Sequence, residues 1–257
     1  AYYAGWGFYE GTLFYASAGI MFISTIPLLF LPEGGVVIKT AANPVPEVKE
    51  KQETASVGIY LLFLAAMVFI NFGRNSIAII FPQYLSLENG LALDSRTISY
   101  VVNLQSVSII LFGWTAGRIG HAAGNANTLL AGTATALIAL AILALSTAFS
   151  MVCLSSFLRG IADVIIMSTS YALASVLIPP EMRARRFAWF NATFFLSWGL
   201  AGTLFSGPIV DLMIAAGRSE SLAYRTSFAA ACILSLIGLV IMYLVITYQK
   251  KKQNTLP

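Results

Sequence analysis

The chain has 257 residues, 58% of them hydrophobic and 10% charged, with a mean hydropathy of +0.80 and a formal charge of +4. Soluble domains carry roughly 45–50% apolar and about 25% charged residues, so this chain cannot clothe a globule in polar surface. Its long apolar blocks also exclude a disordered, fibrous or disulfide-stapled protein, and its basic residues sit in short clusters between those blocks, as in membrane topology rather than nucleic-acid binding.

A helix that crosses a bilayer needs about 20 mostly apolar residues, and seven stretches qualify. The first covers 8–31 and opens near Glu10, which reads as an interfacial carboxylate or a proton carrier. Residues 32–56 follow as the one long polar stretch. They hold Lys39, Lys49 and Lys51 against Glu33, Glu47, Glu50 and Glu53, with Pro44 and Pro46, which is the composition of a flexible linker.

The second span covers 57–85. Its Asn71, Arg74 and Asn75 stand at i, i+3 and i+4 and so share one helical face. A charge at a span centre costs about 2.5–3.5 kcal/mol against a gain of about 0.3–0.6 for each Leu, Ile, Phe or Val. Roughly six apolar neighbours must therefore offset Arg74, which faces a polar cavity or snorkels to the headgroups. The third span, 98–116, carries Ser99, Asn103 and Ser106 at i, i+4 and i+7. Such a stripe lines a cavity or glues helices together. Gln105 lies off that face.

The fourth span covers 128–149 and the fifth 151–178, which stops at Pro179-Pro180. Arg159 lies roughly 15 Å into the fifth span at 1.5 Å per residue, with Asp163 one turn on along the same face. The two read as part of a transport path or as a self-compensating structural pair. The sixth span covers 193–214 and the seventh 227–248. Nothing alternates at period two, so membrane-spanning strands are excluded.

Other chemistry finds little support. Cys153 and Cys232 fall inside apolar segments and read as small hydrophobic residues. His121 is the lone histidine, so neither a metal site nor a Ser/His/Asp arrangement is expected. No Gly-rich phosphate loop with lysine is present, which argues against an ATP-driven pump. The expectation is no enzyme and no cofactor. The chain opens at Ala1 without a basic n-region, which reads as a chain without a signal peptide that is a fragment or was processed upstream.

Basic residues set the orientation. The linker, the loops after the third and fifth spans and the C-terminal tail hold ten Lys and Arg, and the opposite side holds three. That bias places the linker and the tail in the cytoplasm and residue 1 outside.

Three motifs carry a resemblance. Gly113, Arg118 and Gly120, read as a glycine face running into a tight cytoplasmic turn, are similar to the cytoplasmic signature of the major facilitator superfamily. Gly117 stands where that signature has Asp. Pro180, Glu181 and Arg183 lead into Gly199, Gly202 and Gly207-Pro208, which resembles the family's loop followed by a glycine-spaced helix closing in Gly-Pro. Leu158-Arg159-Gly160 resembles its intramembrane arginine helix. The resemblance implies two six-helix halves joined by a cytoplasmic linker. Residues 1–31 would be the last helix of the first half, 32–56 the linker, and 57–257 the second six-helix bundle with its tail.

It further implies an all-α multi-pass protein of the plasma (inner) membrane that works by symport or antiport. Its partners would be the lipid bilayer, a small-molecule substrate and the N-terminal half of the same transporter. Path candidates are Asn71, Arg74, Asn75, Ser99, Asn103, Ser106, Arg159 and Asp163. Gly113, Arg118, Gly120, Glu181 and Arg183 would gate the cytoplasmic side, and Gly199, Gly202, Gly207 and Pro208 would pack helices. If Asp163 neutralises Arg159 within its own helix, Arg74 is left for an anionic solute; neutral solutes stay open. So do proton coupling, a seven-helix receptor and a half-transporter acting as an assembly partner. A retinal protein is disfavoured, because the seventh span lacks a lysine for the Schiff base. The topology predicts that cysteines placed at Lys49 and at Ser219 react with an impermeant reagent from opposite sides of the membrane; reaction from one side would refute the seven-span count.

Overall fold

Every apolar block after residue 56 folds as a helix, because a backbone in hydrocarbon must satisfy its N–H and C=O groups within its own segment. The structure is a computed structural model describing residues 57–179 and 182–254, together with Tyr15 and residues 18–20, 22–23 and 26. The chain divides into two units, Ala1–Glu53 and Thr54–Pro257. The expected first span and the linker lie outside the described residues, apart from those few positions between 15 and 26.

The second unit is helical throughout, with no strand among the described residues. Its helices are α1 (Val57–Ser86), α2 (Ser95–Ala123), α3 (Asn125–Leu145), α4 (Phe149–Leu177), α5 (Arg183–Ala201), α6 (Gly207–Ala215) and α7 (Glu220–Asn254). A single π-helical turn, Gly202–Ser206, joins α5 to α6, so the described residues contain six helices long and apolar enough to cross a membrane. These coincide with the second to seventh expected spans.

Of the boundaries that differ from expectation, two have a plain physical reason. The tight turn expected around Gly113–Gly120 is helix: α2 runs on to Ala123, and the chain reverses at Gly124, whose φ of 82° suits a residue without Cβ. Arg118 can prolong the helix because its guanidinium stacks on Trp114 one turn back, 4.6 Å from the ring centre. The sixth span begins ten residues early, at Arg183, because its basic first turns are amphipathic rather than apolar. The π turn has a cause in Pro208, which has no N–H and crowds the preceding turn. The helix widens there, and the Gly207 N–H donates to the Gly202 carbonyl five residues back.

In packing, α1 lies against α5 and α7, α4 lies against α2 and α3, and α3 meets α7. With α5–α6 counted as one span, exchanging each span with the one three places along maps these contacts onto one another. Two apolar clusters fill the interior. Tyr60, Phe63, Met67 and Ile70 of α1 meet Leu173, Phe190 and Met242 toward the linker end. Ile77, Phe81, Tyr84 and Leu85 meet Leu140, Val152 and Phe228 toward the other end. Asn71 and Arg74 fall between the two clusters.

The crossings are held by small residues. A Cβ on Gly160 would strike the Ser108 hydroxyl and the Gln105 carbonyl, so α2 and α4 touch backbone to backbone. A Cβ on Gly202 would lie 2.8 Å from Ile79 Cδ1. Gly199 is exposed, and a Cβ there meets nothing within 4 Å. Arg225 of α7 donates to the Ala144 and Leu145 carbonyls at 2.8 and 2.9 Å, satisfying the open end of α3. Overpacking a tight core costs about 1–3 kcal/mol and a backbone crossing more. Gly160→Leu should therefore deplete monodisperse protein in detergent, whereas Gly199→Leu should elute and melt as wild type; equal behaviour of the two would refute the crossing.

Candidate functional site

A charged cluster occupies the layer between the two apolar clusters. Arg74, on α1, is 8% exposed and forms an ion pair with Asp163 of α4 at 2.5 Å. The other carboxylate oxygen of Asp163 accepts from Gln105 Nε2 of α2 at 2.6 Å. Arg74 Nε donates to Asn71 Oδ1 at 3.2 Å, and Asn71 Nδ2 donates to Thr193 Oγ1 of α5 at 3.1 Å. One turn on, Asn75 Nδ2 donates to Ser197 Oγ at 2.8 Å. Four helices are thus tied by one network centred on a carboxylate that is 25% exposed.

The pairing differs from the expected one. Asp163 does share a face with Arg159, but its carboxylate turns to the guanidinium of the neighbouring helix. Arg159 instead lies over the Phe81 ring, 5.0 Å from its centre, and makes no hydrogen bond or ion pair among the described residues. Arg74 also has an aromatic partner, with Phe194 5.7 Å away. A cavity of about 10 Å³, room for a single water, lies between Arg74, Arg159, Asp163, Ala136, Leu140 and Ala162. The uncompensated cation is therefore Arg159 and not Arg74.

Of the expected path residues, Asn71, Arg74 and Asp163 are joined by this network, Asn75 makes a separate bond to Ser197, and Arg159 borders the cluster. The α2 stripe is not joined to it. Ser99 Oγ bonds back to the Ser95 carbonyl, and Asn103 and Ser106 are exposed. Gln105, the off-stripe residue, makes the contact instead. Among the expected gating residues, Gly120 is buried with Asn125 Oδ1 2.7 Å from where its Cβ would stand, Gly113 and Arg183 are exposed, and Glu181 lies outside the described residues. Sequence reasoning missed Gln105, Thr193 and Ser197. It also missed Arg186, buried at the start of α5 over the Tyr60 ring at 5.1 Å, while Tyr60 donates to the Arg186 carbonyl. No group of three or more His, Cys, Asp or Glu side chains able to hold a metal occurs among the described residues.

Compared with known protein families, residues 62–256 match the Major Facilitator Superfamily. The chain belongs to the major facilitator superfamily. It is accordingly a multi-pass membrane protein of a secondary-transporter family, with its charged cluster inside the matched region. A search of curated proteins gave no match.

Removing one partner of a buried pair strands the other charge at a cost of about 3–5 kcal/mol, the low end applying here because Asp163 keeps a quarter of its exposure. Asp163→Asn should lower the melting temperature of the purified protein, and the Asp163→Asn/Arg74→Gln double variant should recover part of the loss. Additive losses in the double variant would show that the two groups do not act as a pair.

Proposed function

We propose that this chain takes part in secondary active transport of a small anionic solute by alternating access, coupled to protons. The observation that carries the reading is the charge count of the buried cluster: two guanidiniums, Arg74 and Arg159, against one carboxylate, Asp163, with Arg159 bordering the small cavity. A surplus cation at such depth calls for an anion or water. A carboxylate or phosphate solute meets that need, because guanidinium offers two parallel N–H donors to either group.

The chemistry extends to coupling. A solute anion that engages the guanidiniums competes with Asp163 for Arg74. In this reading Asp163, once released from Arg74, is the carboxylate that carries the coupled proton. Anion and proton then move together, and re-pairing with Arg74 expels the proton. The exposed edge of Asp163 gives that proton a way in.

In this reading residues 57–257 form one bundle of a two-bundle transporter. Residues 32–56 form its central linker and 1–31 the last helix of the partner bundle, with residue 1 outside and the tail in the cytoplasm of a plasma-membrane protein. The polar composition of 32–56, the ten-to-three basic bias and the extent of the family match support this arrangement. Solute would pass between the two bundles as one rocks against the other.

The reading is tested in proteoliposomes with a panel of small carboxylates, inorganic phosphate and a neutral sugar, driven by an inward proton gradient. Uptake should be confined to anions. A charged hydrogen bond is worth about 1.5–3 kcal/mol, so Arg159→Gln should weaken apparent affinity for the transported anion roughly 10- to 100-fold, and Arg159→Lys less. Uptake of the sugar alone, or unchanged affinity in Arg159→Gln, would overturn the anionic reading.

A further inference from the structure

The ring beneath the surplus cation has no role yet in the solute reading. Arg159 and Asp163 stand four residues apart on one face of α4, a spacing at which a guanidinium and a carboxylate ordinarily pair. Here they do not. Asp163 takes Arg74 and Gln105, and Arg159 lies over the Phe81 ring. A long, rotatable side chain is thus kept from a carboxylate one turn away.

Phe81 is placed for that task by the period of α1. It follows Arg74 by seven residues, or two turns, and so lies on the same face of the helix. α1 and α4 run in opposite directions, so the two contacts fall in matching order. Arg74 meets Asp163, and Phe81, further along α1, meets Arg159, earlier on α4. The ring is 2% exposed. Phe63 and Phe190 pack on each other and Tyr84 packs on Phe228, whereas Phe81 makes no ring–ring contact among the described residues. Its face is left to the guanidinium. A ring attracts the cation without accepting a conventional hydrogen bond, so the five N–H donors of Arg159 are not spent on it.

We infer that Phe81 is the positioning residue of this site. Its ring holds Arg159 off Asp163, which leaves the carboxylate to Arg74 and keeps the donors of Arg159 for the solute anion. The second step rests on the anionic reading; the first does not. Gln105 offers a competing cause, because it fills the other oxygen of Asp163. Substitution separates the two causes.

The test is a double-mutant cycle on the melting temperature of the full chain in detergent, run in several backgrounds. In the wild type the losses from Arg159→Gln and Asp163→Asn should nearly add. In Phe81→Leu the double variant should lose clearly less than the sum, because Arg159 there pairs with Asp163. Phe81→Met gives a second background without the ring if Phe81→Leu does not fold. Phe81→Tyr, which keeps the ring face, and Gln105→Leu should both behave as the wild type. Lost packing alone lowers every melting temperature but creates no such shortfall. In proteoliposomes Phe81→Leu should raise the half-saturating concentration of the transported anion roughly tenfold, the worth of one charged hydrogen bond, and Phe81→Tyr should leave it near the wild-type value. An equal shortfall in the wild type and in Phe81→Leu, or a shortfall in Gln105→Leu alone, would overturn the inference. The cycle needs no solute, so it decides whether Phe81 positions Arg159 even if uptake proves confined to the sugar.

Discussion

A guanidinium inside hydrocarbon must be answered from within the protein, and the arrangement of this bundle follows from how Arg74 is answered. Its partner is a carboxylate on α4, so α1 and α4 are bound to meet at the level of Arg74 and Asp163. That carboxylate retains acceptor capacity, which Gln105 fills from α2. Arg74 keeps a further donor, which Asn71 takes, and the Asn71 amide then needs an acceptor, which Thr193 supplies from α5. Each polar group, once buried, makes the next one necessary. Individual hydrogen bonds between membrane helices are worth only about 0.6 kcal/mol on average, so the network specifies geometry more than it adds stability.

The apolar clusters on either side do complementary work. Packing in lipid cannot draw on a hydrophobic driving force between helices, so close approach must supply the attraction. Gly160 supplies it between α2 and α4, and Gly73 between α1 and α7. The first of these brings the Gln105 backbone onto α4 three residues before Asp163. The glutamine amide then reaches the carboxylate without a long excursion. The glycine crossing and the charged cluster are thus one device.

How much of this was legible in the sequence depends on range. Hydropathy alone located the six described spans, because hydrocarbon thickness is a property of single segments. The face shared by Asn71, Arg74 and Asn75 was legible for the same reason, being set by one helix's period. The partner of Asp163 was not. Spacing along α4 singles out Arg159, whereas the choice between Arg159 and Arg74 depends on how α4 is rotated against α1. Gln105 was passed over because Ser99, Asn103 and Ser106 make the more regular stripe, yet Asn103 and Ser106 are exposed and Gln105 makes the contact with Asp163. Gly199 was favoured for packing by its glycine spacing, whereas the glycines that meet a neighbour's backbone, Gly73, Gly160 and Gly238, belong to no regular pattern. The turn placed at Gly113–Gly120 failed through local logic too. Glycine breaks isolated helices, but a membrane segment retains its backbone hydrogen bonds because water cannot replace them.

Arg159 gives the charged layer its character. Its aromatic partner, Phe81, belongs to α1, the helix that carries Arg74, so α1 supplies both the guanidinium that neutralises Asp163 and the ring beneath the surplus cation. A ring face stabilises a cation by about 2 kcal/mol when desolvated, less than a carboxylate can provide, and it accepts no conventional hydrogen bond in return. Arg159 is therefore held in place without a hydrogen bond among the described residues, beside a cavity with room for only one water. A fully neutralised cluster would be a structural lock with a single deep minimum. The proposed anion transport asks of this cluster a second arrangement, in which Asp163 shifts toward Arg159 and the incoming anion takes its place on Arg74. On that proposal the anion selects between two pairings of one carboxylate and need not deform either, which is how occupancy would couple to a change in helix packing.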